Sequence, residues 1–325
     1  MAGCTGPQSA FQAAGTAAAD ILALFVWMTV GASVVWTIVI GLSIYAVRSQ
    51  RTYDRRWTAG LVIGGGVFFP TIVLTGLLCY GLSLLPQLNA PAPAGSLTIE
   101  VSGVRWWWRV RYLADDQPPI ELANEVVLPA GQPVEFVLRS EDVIHSFWIP
   151  SLGGKVDMIP GRQTRLKLHP LKAGTYRGVC AEYCGTAHAQ MAFDVRVVSS
   201  EEFSQWLQHQ AQPAAIADSA AAPQASAPRA ANLRAAQGKV LFSQLGCAAC
   251  HAVKGSSADG AIGPDLTHVS SRLTIGAGVL TNNPENLQRW IMAPQVLKPG
   301  VEMPAFDWLT AEEVDSLVNY LMLLN

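Results

Sequence analysis

The stretch Cys180-Ala-Glu-Tyr-Cys184-Gly-Thr-Ala-His188-Ala-Gln-Met191 holds two thiols, an imidazole and a thioether within twelve residues. Thiolate and thioether sulfur with imidazole nitrogen are the ligands that copper prefers in electron-transfer sites. A further histidine, His145, lies 35 residues before Cys180, in a run with the pattern of a buried strand. The spacing therefore predicts a metal site. The alternative is a local disulfide between Cys180 and Cys184, which needs Cα atoms within about 7 Å.

The pattern Cys-x-Glu-x-Cys-x3-His-x2-Met with an upstream histidine resembles the dinuclear copper A site in subunit II of haem–copper cytochrome c oxidases. The resemblance implies that Cys180 and Cys184 bridge two copper ions. It also implies four further ligands, which are His145, His188, Met191 and the backbone carbonyl of Glu182. In the family, the Glu182 carboxylate would point away from the coppers toward a magnesium ion shared with subunit I.

Composition bounds the class of protein. The chain has 325 residues, of which 50% are hydrophobic and only 14% charged, so we expect two or three domains and a part that lies in lipid. A net charge of −2 gives no indication of a nucleic-acid partner. Four of the six cysteines form the close pairs 180/184 and 247/250, each beside a histidine. Such pairs indicate metal or cofactor chemistry rather than a disulfide framework.

The N-terminal segment, residues 1–20, contains no Lys or Arg and no long apolar run, so no complete signal peptide is expected in it. Ala-Gly-Cys4 resembles the end of a bacterial lipoprotein cleavage site, although the hydrophobic stretch that normally precedes it is missing. Lipidation of Cys4, a trimmed start and chance similarity stay open. We expect this segment to be extracytoplasmic.

Residues 21–88 have the pattern of a transmembrane helical hairpin. Residues 21–47 and 59–86 carry no charge, and each run exceeds the roughly 20 residues needed to cross a bilayer. Four arginines and one acid, Asp54, separate the two runs, and no base flanks them on the outside until Arg105. Because arginine favours the cytoplasmic side, the rest of the chain is predicted on the periplasmic side of a bacterial inner membrane.

Residues 96–209 change to short alternating stretches that are typical of half-buried antiparallel strands. Roughly eight such runs predict a Greek-key β-sandwich. The alternation is clearest in four stretches, Leu97–Val101, Val134–Leu138, Arg165–Leu168 and Met191–Val197. The resemblance narrows this to a cupredoxin-like copper A domain whose copper loop, 180–190, joins the last two strands.

Three adjacent tryptophans, Trp106, Trp107 and Trp108, cannot all face one side of a strand. For Trp107, anchoring at a membrane interface is an open alternative. The family resemblance implies that Trp106 is the point where electrons enter over the copper site. Arg105 stands where the family commonly has glutamine. The sequence therefore does not decide whether the electron donor docks on the surface that is usual in the family.

Residues 140–162, from Ser140 to Arg162, resemble the family continuously and contain His145. Within this stretch the resemblance implies that Asp157 and Arg162 contact the catalytic subunit.

Residues 210–231 are almost entirely Ala, Pro, Gln and Ser, which indicates a flexible linker with some polyproline stiffness.

Residues 232–325 contain Gly246-Cys247-Ala-Ala-Cys250-His251, the Cys-x2-Cys-His pattern of c-type haem attachment. Cys247 and Cys250 would bind the haem covalently, and His251 would ligate its iron. A zinc knuckle or redox dithiol is the alternative, but zinc would need a second cysteine pair. The region is predicted to be an all-α mono-haem cytochrome c domain.

Within this domain, Met303 is the best candidate for the sixth iron ligand, with Met292 and His268 as competitors. A Met/His pair raises the haem potential. Gly263-Pro264 lies where mono-haem cytochromes c place a turn whose carbonyl accepts a hydrogen bond from the proximal histidine. A capping box at Thr310-Ala-Glu-Glu313 predicts a C-terminal helix through about Leu324.

The whole arrangement resembles subunit II of a caa-type cytochrome c oxidase, a proton-translocating terminal oxidase. The resemblance implies that electrons pass from haem c through Trp106 to copper A, and from the His188 side to haem a of subunit I, where oxygen is reduced. It implies subunits I and III, membrane lipid, and cytochrome c or another upstream donor as partners. The linker would hold the haem near millimolar effective concentration.

One departure concerns proton entry. Many subunits II carry a glutamate about two turns before the proline of the second membrane helix, but here that position is near Ile63 and no acid lies between Asp54 and Pro70. Another group or subunit I is then expected to admit protons. Two alternatives for the function are the electron-delivery subunit of a copper-A-containing nitric oxide reductase and a non-redox assembly subunit.

Overall fold

The computed structural model describes residues 5–49, 54–114, 117–214 and 229–325. They divide into two compact units, one formed by Ala19–Pro91 and the other by Met1–Ala18 together with Ala92–Asn325. Cys4, Arg51 and residues 215–228 of the predicted linker lie outside the described residues.

The first unit contains the two predicted membrane-spanning segments, and both are helical. Helix α1 covers Thr16–Arg48, and the second segment is continuous from Arg55 to Asn89, each with a mean hydropathy of 2.1 in its most apolar window. The second segment consists of α2 (Arg55–Ile63), a π-helical turn (Gly64–Phe68) and α3 (Phe69–Asn89). Asp54 caps α2 by accepting a hydrogen bond from the Arg56 amide. The turn coincides with three consecutive glycines, which loosen the local hydrogen-bond ladder.

Polar side chains within α1 satisfy themselves locally. The hydroxyls of Thr29 and Ser33 donate to the carbonyls of Phe25 and Thr29, four residues earlier, at 2.8 and 2.7 Å. Internal satisfaction of this kind is what a segment in lipid requires, because no water is there to bond its polar groups.

The first part of the second unit is a sandwich of two five-stranded sheets. One sheet has the order β3-β2-β1-β5-β8 and the other β4-β10-β9-β6-β7. The strands of the first sheet are β1 (Leu97–Val104), β2 (Trp107–Ala114), β3 (Gln117–Ala123), β5 (Val134–Ser140) and β8 (Thr164–Leu168). Those of the second are β4 (Glu125–Pro129), β6 (His145–Trp148), β7 (Val156–Met158), β9 (Gly174–Cys180) and β10 (Ala192–Val198).

The alternating stretches of the sequence correspond to these strands. The four clearest ones fall on β1, β5, β8 and β10, and the cysteine-containing loop joins β9 to β10, as predicted. Strand β10 pairs antiparallel with β9 and parallel with β4. The crossover between sheets is that of the expected cupredoxin-like sandwich, and it brings the end of β9 beside the start of β6.

Aromatic side chains fill the space between the sheets. Trp108, Phe136, Phe147 and Phe193 are completely buried, and the rings of Phe147 and Phe193 stack with centroids 4.8 Å apart. Trp108 meets Phe193 edge to face at 5.2 Å. Rings in these arrangements add roughly 0.5–1.5 kcal/mol per pair beyond the burial of their area. This rigid layer lies directly under His145, whose ring centroid is 6.2 Å from that of Trp108.

The N-terminal segment belongs to the sandwich, which the sequence did not predict. The amide of Ala14 donates to Ser151 at 2.7 Å, the Ala14 carbonyl accepts from Leu171 at 2.7 Å, and the Arg177 amide donates to Pro7 at 2.9 Å. The segment attaches through main-chain bonds and small side chains, so its sequence shows no apolar periodicity that would have revealed the contact.

The C-terminal part of the second unit is helical apart from one short hairpin. Helix α4 (Ser200–Ala211) follows β10 and packs on the core of the sandwich through Phe203. The C-terminal part itself contains the helices α5 (Arg229–Gln244), α6 (Pro284–Met292), α7 (Pro294–Leu297) and α8 (Ala311–Leu321), and its hairpin consists of β11 (Thr274–Ile275) and β12 (Leu280–Thr281). Helix α4 ends, and α5 begins, inside the predicted linker, residues 210–231. The capping box of Thr310 and Glu313 is present, but α8 ends three residues before the predicted Leu324.

The sandwich and the C-terminal helical domain touch each other within this unit. The Arg109 guanidinium donates to the Ala261 carbonyl at 2.6 Å, and the Arg177 guanidinium donates to the Gly278 carbonyl at 2.9 Å. The two domains are therefore held by a direct interface as well as by the covalent linker.

Candidate copper and haem sites

The two cysteines and His145 meet at one end of the sandwich. His145 begins β6 and Cys180 ends β9, and the pairing of Phe147 with Cys180 places these strand ends side by side. Cys184 lies in the loop that follows, and the ligand atoms of His145, Cys180 and Cys184 all lie within 4.8 Å of one another. All three residues are buried, with His145 0% exposed.

The distances separate the cluster into two halves. The sulfurs of Cys180 and Cys184 are 3.7 Å apart, His145 Nδ1 is 3.8 Å from the Cys180 sulfur, and His188 Nδ1 is 3.5 Å from the Cys184 sulfur. Each imidazole thus approaches a different thiol. This arrangement fits two metal ions that share the sulfurs, with one histidine for each ion.

The remaining predicted ligands flank the sulfurs. The Met191 sulfur is 3.8 Å from that of Cys184, and the Glu182 carbonyl oxygen is 3.2 Å from that of Cys180. The six predicted copper ligands therefore surround one small space. The disulfide alternative is wrong for this structure, because a sulfur–sulfur bond is about 2.05 Å long and both cysteines are free thiols.

The thiols are electrostatically coupled. The hydrogen bond from Cys184, with smaller help from His145, lowers the pKa of the Cys180 thiol to about 3 despite burial. The same contact raises the pKa of Cys184, because a second thiolate would lie against the first. One proton is thus shared between two sulfurs. Two thiolates at this spacing need positive charge between them, which copper ions would supply.

His145 is oriented by a carboxylate that the sequence analysis missed. Its Nε2 atom donates to Asp142 Oδ1 at 2.8 Å, which leaves Nδ1 directed at the Cys180 sulfur. Burial lowers the pKa of His145, but Cys180 and Asp142 outweigh it, so the pKa is raised. A carboxylate three residues before a ligand histidine is a signal that could have been noticed, since such partners fix the ring and raise ligand basicity.

Gly103 on β1 leaves room for this imidazole. A Cβ atom at position 103 would lie 2.7 Å from His145 Cδ2. Arg105 also joins the network, since its amide donates to Asp142 Oδ2 at 2.6 Å. The Arg105 guanidinium also lies 3.5 Å from the same Asp142 oxygen, so both the main chain and the side chain of Arg105 contact the carboxylate that orients His145.

The Glu182 carboxylate points to the surface, away from the sulfurs. It is 3.8 Å from the ammonium of Lys155, which also contacts Asp157 at 3.2 Å. Arg162 lies nearby in sequence and is exposed. Magnesium binding by Glu182 and contacts of Asp157 and Arg162 with a catalytic subunit remain predictions.

The second site is an apolar cleft in the helical domain. It has a volume of about 280 Å³. Cys247, Cys250 and His251 line one side, immediately after α5, and Met303 lines it as well. His251 Nδ1 donates to the Pro264 carbonyl at 2.7 Å, as the sequence predicted, so Nε2 is left for a metal. Burial lowers the pKa of His251, which favours the neutral, ligating form.

The two other candidates for the sixth iron ligand, Met292 and His268, lie outside the cleft. The Met292 sulfur accepts from the Gln288 amide, and His268 Nε2 bonds the Gln212 carbonyl at 3.2 Å. The apolar lining, the cysteine pair, His251 and Met303 together fit a covalently attached haem.

Trp106 connects the two sites. It is buried, its indole nitrogen donates to the Cys184 carbonyl at 3.0 Å, and its ring also lines the haem cleft. Trp107 lines the same cleft and stacks beneath the Arg109 guanidinium at 5.0 Å. The structure therefore assigns Trp107 to the domain interface instead of the membrane interface that the sequence left open. Trp108 turns inward to the aromatic core.

Comparison with known proteins finds relatives of both domains. Residues 114–198 match the family model described as cytochrome c oxidase subunit II, periplasmic domain, and residues 235–325 match that described as cytochrome c. The periplasmic domain of subunit II of cytochrome oxidase from Bradyrhizobium japonicum is a similar solved structure, at 32% identity and a TM-score of 0.34. The aligned region covers 96% of that solved chain and 37% of this chain.

Relatives that match a larger part of this chain are named cytochrome c oxidase subunit 2. The chain is 35% identical over 223 residues to cytochrome c oxidase subunit 2 of Alkalihalophilus pseudofirmus, covering 69% of this chain and 60% of the relative. It is 33% identical over 236 residues to that of Bacillus subtilis, covering 70% and 62%. The chain thus spans about three fifths of these relatives' lengths. With matches to both domain families and to these relatives, it belongs to the cytochrome c oxidase subunit II family and carries a C-terminal cytochrome c domain.

Proposed function

We propose that this chain is subunit II of a caa-type cytochrome c oxidase and receives electrons for a proton-translocating terminal oxidase. The observation that carries the proposal is the position of Trp106, which contacts the Cys184 carbonyl and also lines the haem cleft. Both redox sites thus lie in one compact unit, with one side chain between them.

The residues that would hold the cofactors are those gathered at the two sites. Two coppers would be held by His145, Cys180, the Glu182 carbonyl, Cys184, His188 and Met191, and haem c by Cys247, Cys250, His251 and Met303. When bound, the copper ions and the haem would supply reversible one-electron chemistry for the relay of electrons toward subunit I.

The chain's own side chains prepare the sites for that role. Asp142 fixes the His145 ring, and the aromatic layer beneath it holds the strand ends rigid. A site whose ligands are already in place changes little when it gains or loses an electron. The burial of His145, Cys180 and Cys184 keeps water away from the copper site. Trp106 fills the gap between the two sites, so no solvent layer separates them.

The N-terminal helices support a membrane location. Residues 5–18 pack on the sandwich, so both lie on the same side of a membrane, and two spans between them satisfy that condition. The arginines between the spans favour the cytoplasmic side, which puts the copper and haem sites in the periplasm of a bacterium. Subunits I and III and an upstream donor such as cytochrome c are the proposed partners. In the second span, Ile63 lies near the position where many subunits II have a glutamate. Proton entry is therefore assigned to a group outside this span.

Oxygen uptake by the purified complex tests the proposal. We expect ascorbate-driven oxygen consumption that is sensitive to cyanide, with little consumption of nitric oxide under anaerobic conditions. The opposite pattern would identify the electron-delivery subunit of a nitric oxide reductase. The optical spectrum separates the third candidate, because a colourless chain without covalent haem or a near-infrared copper band would indicate an assembly subunit.

A further inference from the structure

Lys298 is a completely buried lysine whose role the proposed function does not explain. Only 1% of its surface is exposed, although it follows α7 at the start of a loop in the cytochrome c domain. Lysine is almost never buried in this way unless its ammonium group is fully partnered, because removing a charge from water is costly. No carboxylate is hydrogen-bonded or ion-paired to it among the described residues, so its partners must be sought elsewhere.

The Lys298 ammonium group donates to three backbone carbonyls. Its Nζ atom is 2.6 Å from the oxygen of Trp106, 2.8 Å from that of Gln190 and 2.9 Å from that of Gly276. An ammonium group has three hydrogens, so all of them are used. Gly276 belongs to the same domain as Lys298, whereas Trp106 and Gln190 belong to the copper domain.

The residues around Lys298 make the contact continuous. The Gln190 amide donates back to the Leu297 carbonyl at 2.9 Å. Gly300 lies so close to the Trp106 indole that a Cβ atom there would be 2.8 Å from its Cζ3 atom. One short segment, residues 297–300, therefore lies against both Trp106 and the copper loop.

This segment links the two proposed metal sites. It is hydrogen-bonded to Gln190, which directly precedes the proposed copper ligand Met191. At its other end, Gly300 is three residues before the proposed iron ligand Met303. We propose that Lys298 is a positioning residue that latches the cytochrome c domain onto the copper domain and holds Trp106 between the two sites. The inference rests on the proposed function only for the identity of the two cofactors.

The energetics agree with a latch that closes only in the docked arrangement. If the domains separated, two of the three carbonyls would leave and the ammonium group would lose most of its partners. Charge-assisted hydrogen bonds to three carbonyls favour the protonated form and are stronger than neutral ones.

The variant Lys298→Met tests the latch in the purified holo-complex. Methionine has a similar length but donates no hydrogen bond, so it leaves three buried carbonyls unpaired. Lys172→Met is the matched control, because the Lys172 ammonium group is exposed and donates to the Ala13 carbonyl, away from the interface. Two quantities are measured, hydrogen exchange in residues 297–300 and the rate of electron transfer from flash-reduced haem c to copper A.

We expect Lys298→Met to exchange faster in 297–300 and to transfer electrons roughly tenfold or more slowly, since unpaired buried groups disfavour the docked form. Lys172→Met should match the wild type in both. Unchanged exchange and transfer in Lys298→Met, with haem and copper bands present, would overturn the latch alone. Absence of those bands from the wild-type protein would instead overturn the proposed function, and the exchange measurement would still judge the latch.

Discussion

The copper site and the haem site are built in opposite ways. In the copper site, strand pairing and an aromatic layer bring the ligand atoms within about 4 Å of a neighbour. In the haem site, the proposed ligands line a cleft of about 280 Å³ that only a large group can fill. The first site is made by the fold, whereas the second needs its cofactor to complete the core. Loss of the haem should therefore damage its domain more than loss of copper damages the sandwich.

The largest effect is expected from Cys247→Ala combined with Cys250→Ala. Without covalent attachment, the cleft loses its filling, and at roughly 24 cal/mol per Å³ an empty cavity of about 280 Å³ costs on the order of 7 kcal/mol. That is comparable with the whole stability of a domain. Proteolysis should cleave residues 232–325 rapidly, while residues 96–209 stay protected. Equal resistance of both regions would contradict the comparison.

Cys184→Ser should remove copper and leave the sandwich folded. The substitution is nearly isosteric, and the strands that hold the site do not depend on the metal, so we expect a loss of stability within about 2 kcal/mol. Copper analysis and the near-infrared band measure the first effect, and thermal unfolding measures the second. The haem band is the internal control. Unfolding of the sandwich together with copper loss would show that the site is not preorganised.

Met303→Leu should lower the reduction potential of haem c without detaching the haem, because a Met/His pair raises the potential. Met292→Leu is the matched control, since Met292 lies outside the cleft and bonds Gln288. Potentiometric titration of the haem band compares the two variants. A larger shift in Met292→Leu would mean that the ligand assignment is wrong.

The smallest effect concerns the interface between the sites. Asp194 in the copper domain accepts a hydrogen bond from the Thr274 hydroxyl of the cytochrome c domain, and burial raises its pKa. The folded protein therefore binds this proton more tightly than the unfolded chain does. The contribution of Asp194 is largest at low pH and is lost as pH rises above roughly 4, the usual value for this side chain.

Asp194→Asn keeps an acceptor for Thr274 but does not titrate. The melting temperature of the wild type, relative to this variant, should fall as pH rises through the weakly acidic range. A difference that is constant with pH, or that grows in favour of the wild type, would contradict the raised pKa.

Sequence patterns predicted the parts of the molecule that local chemistry determines. The strands followed from alternation and α8 from its capping box. The two proposed ligand sets followed from cysteine and histidine motifs together with the family resemblance that those motifs carry. Residues that act across the fold were not found in this way. Asp142 orients His145 through a turn, the segment around Ala14 attaches by main-chain bonds, and Lys298 bonds carbonyls of another domain. Backbone carbonyls carry no sequence signature, so such partners emerge only from the structure.

The metal content of the purified chain tests the central claim most directly. Copper and covalent haem are quantified per polypeptide in the wild type and in Cys180→Ser combined with Cys184→Ser. We predict two copper ions and one haem per chain in the wild type, and no copper with one haem in the double variant. One copper ion per chain, copper that survives loss of both cysteines, or a disulfide between Cys180 and Cys184 in the purified protein would contradict the account.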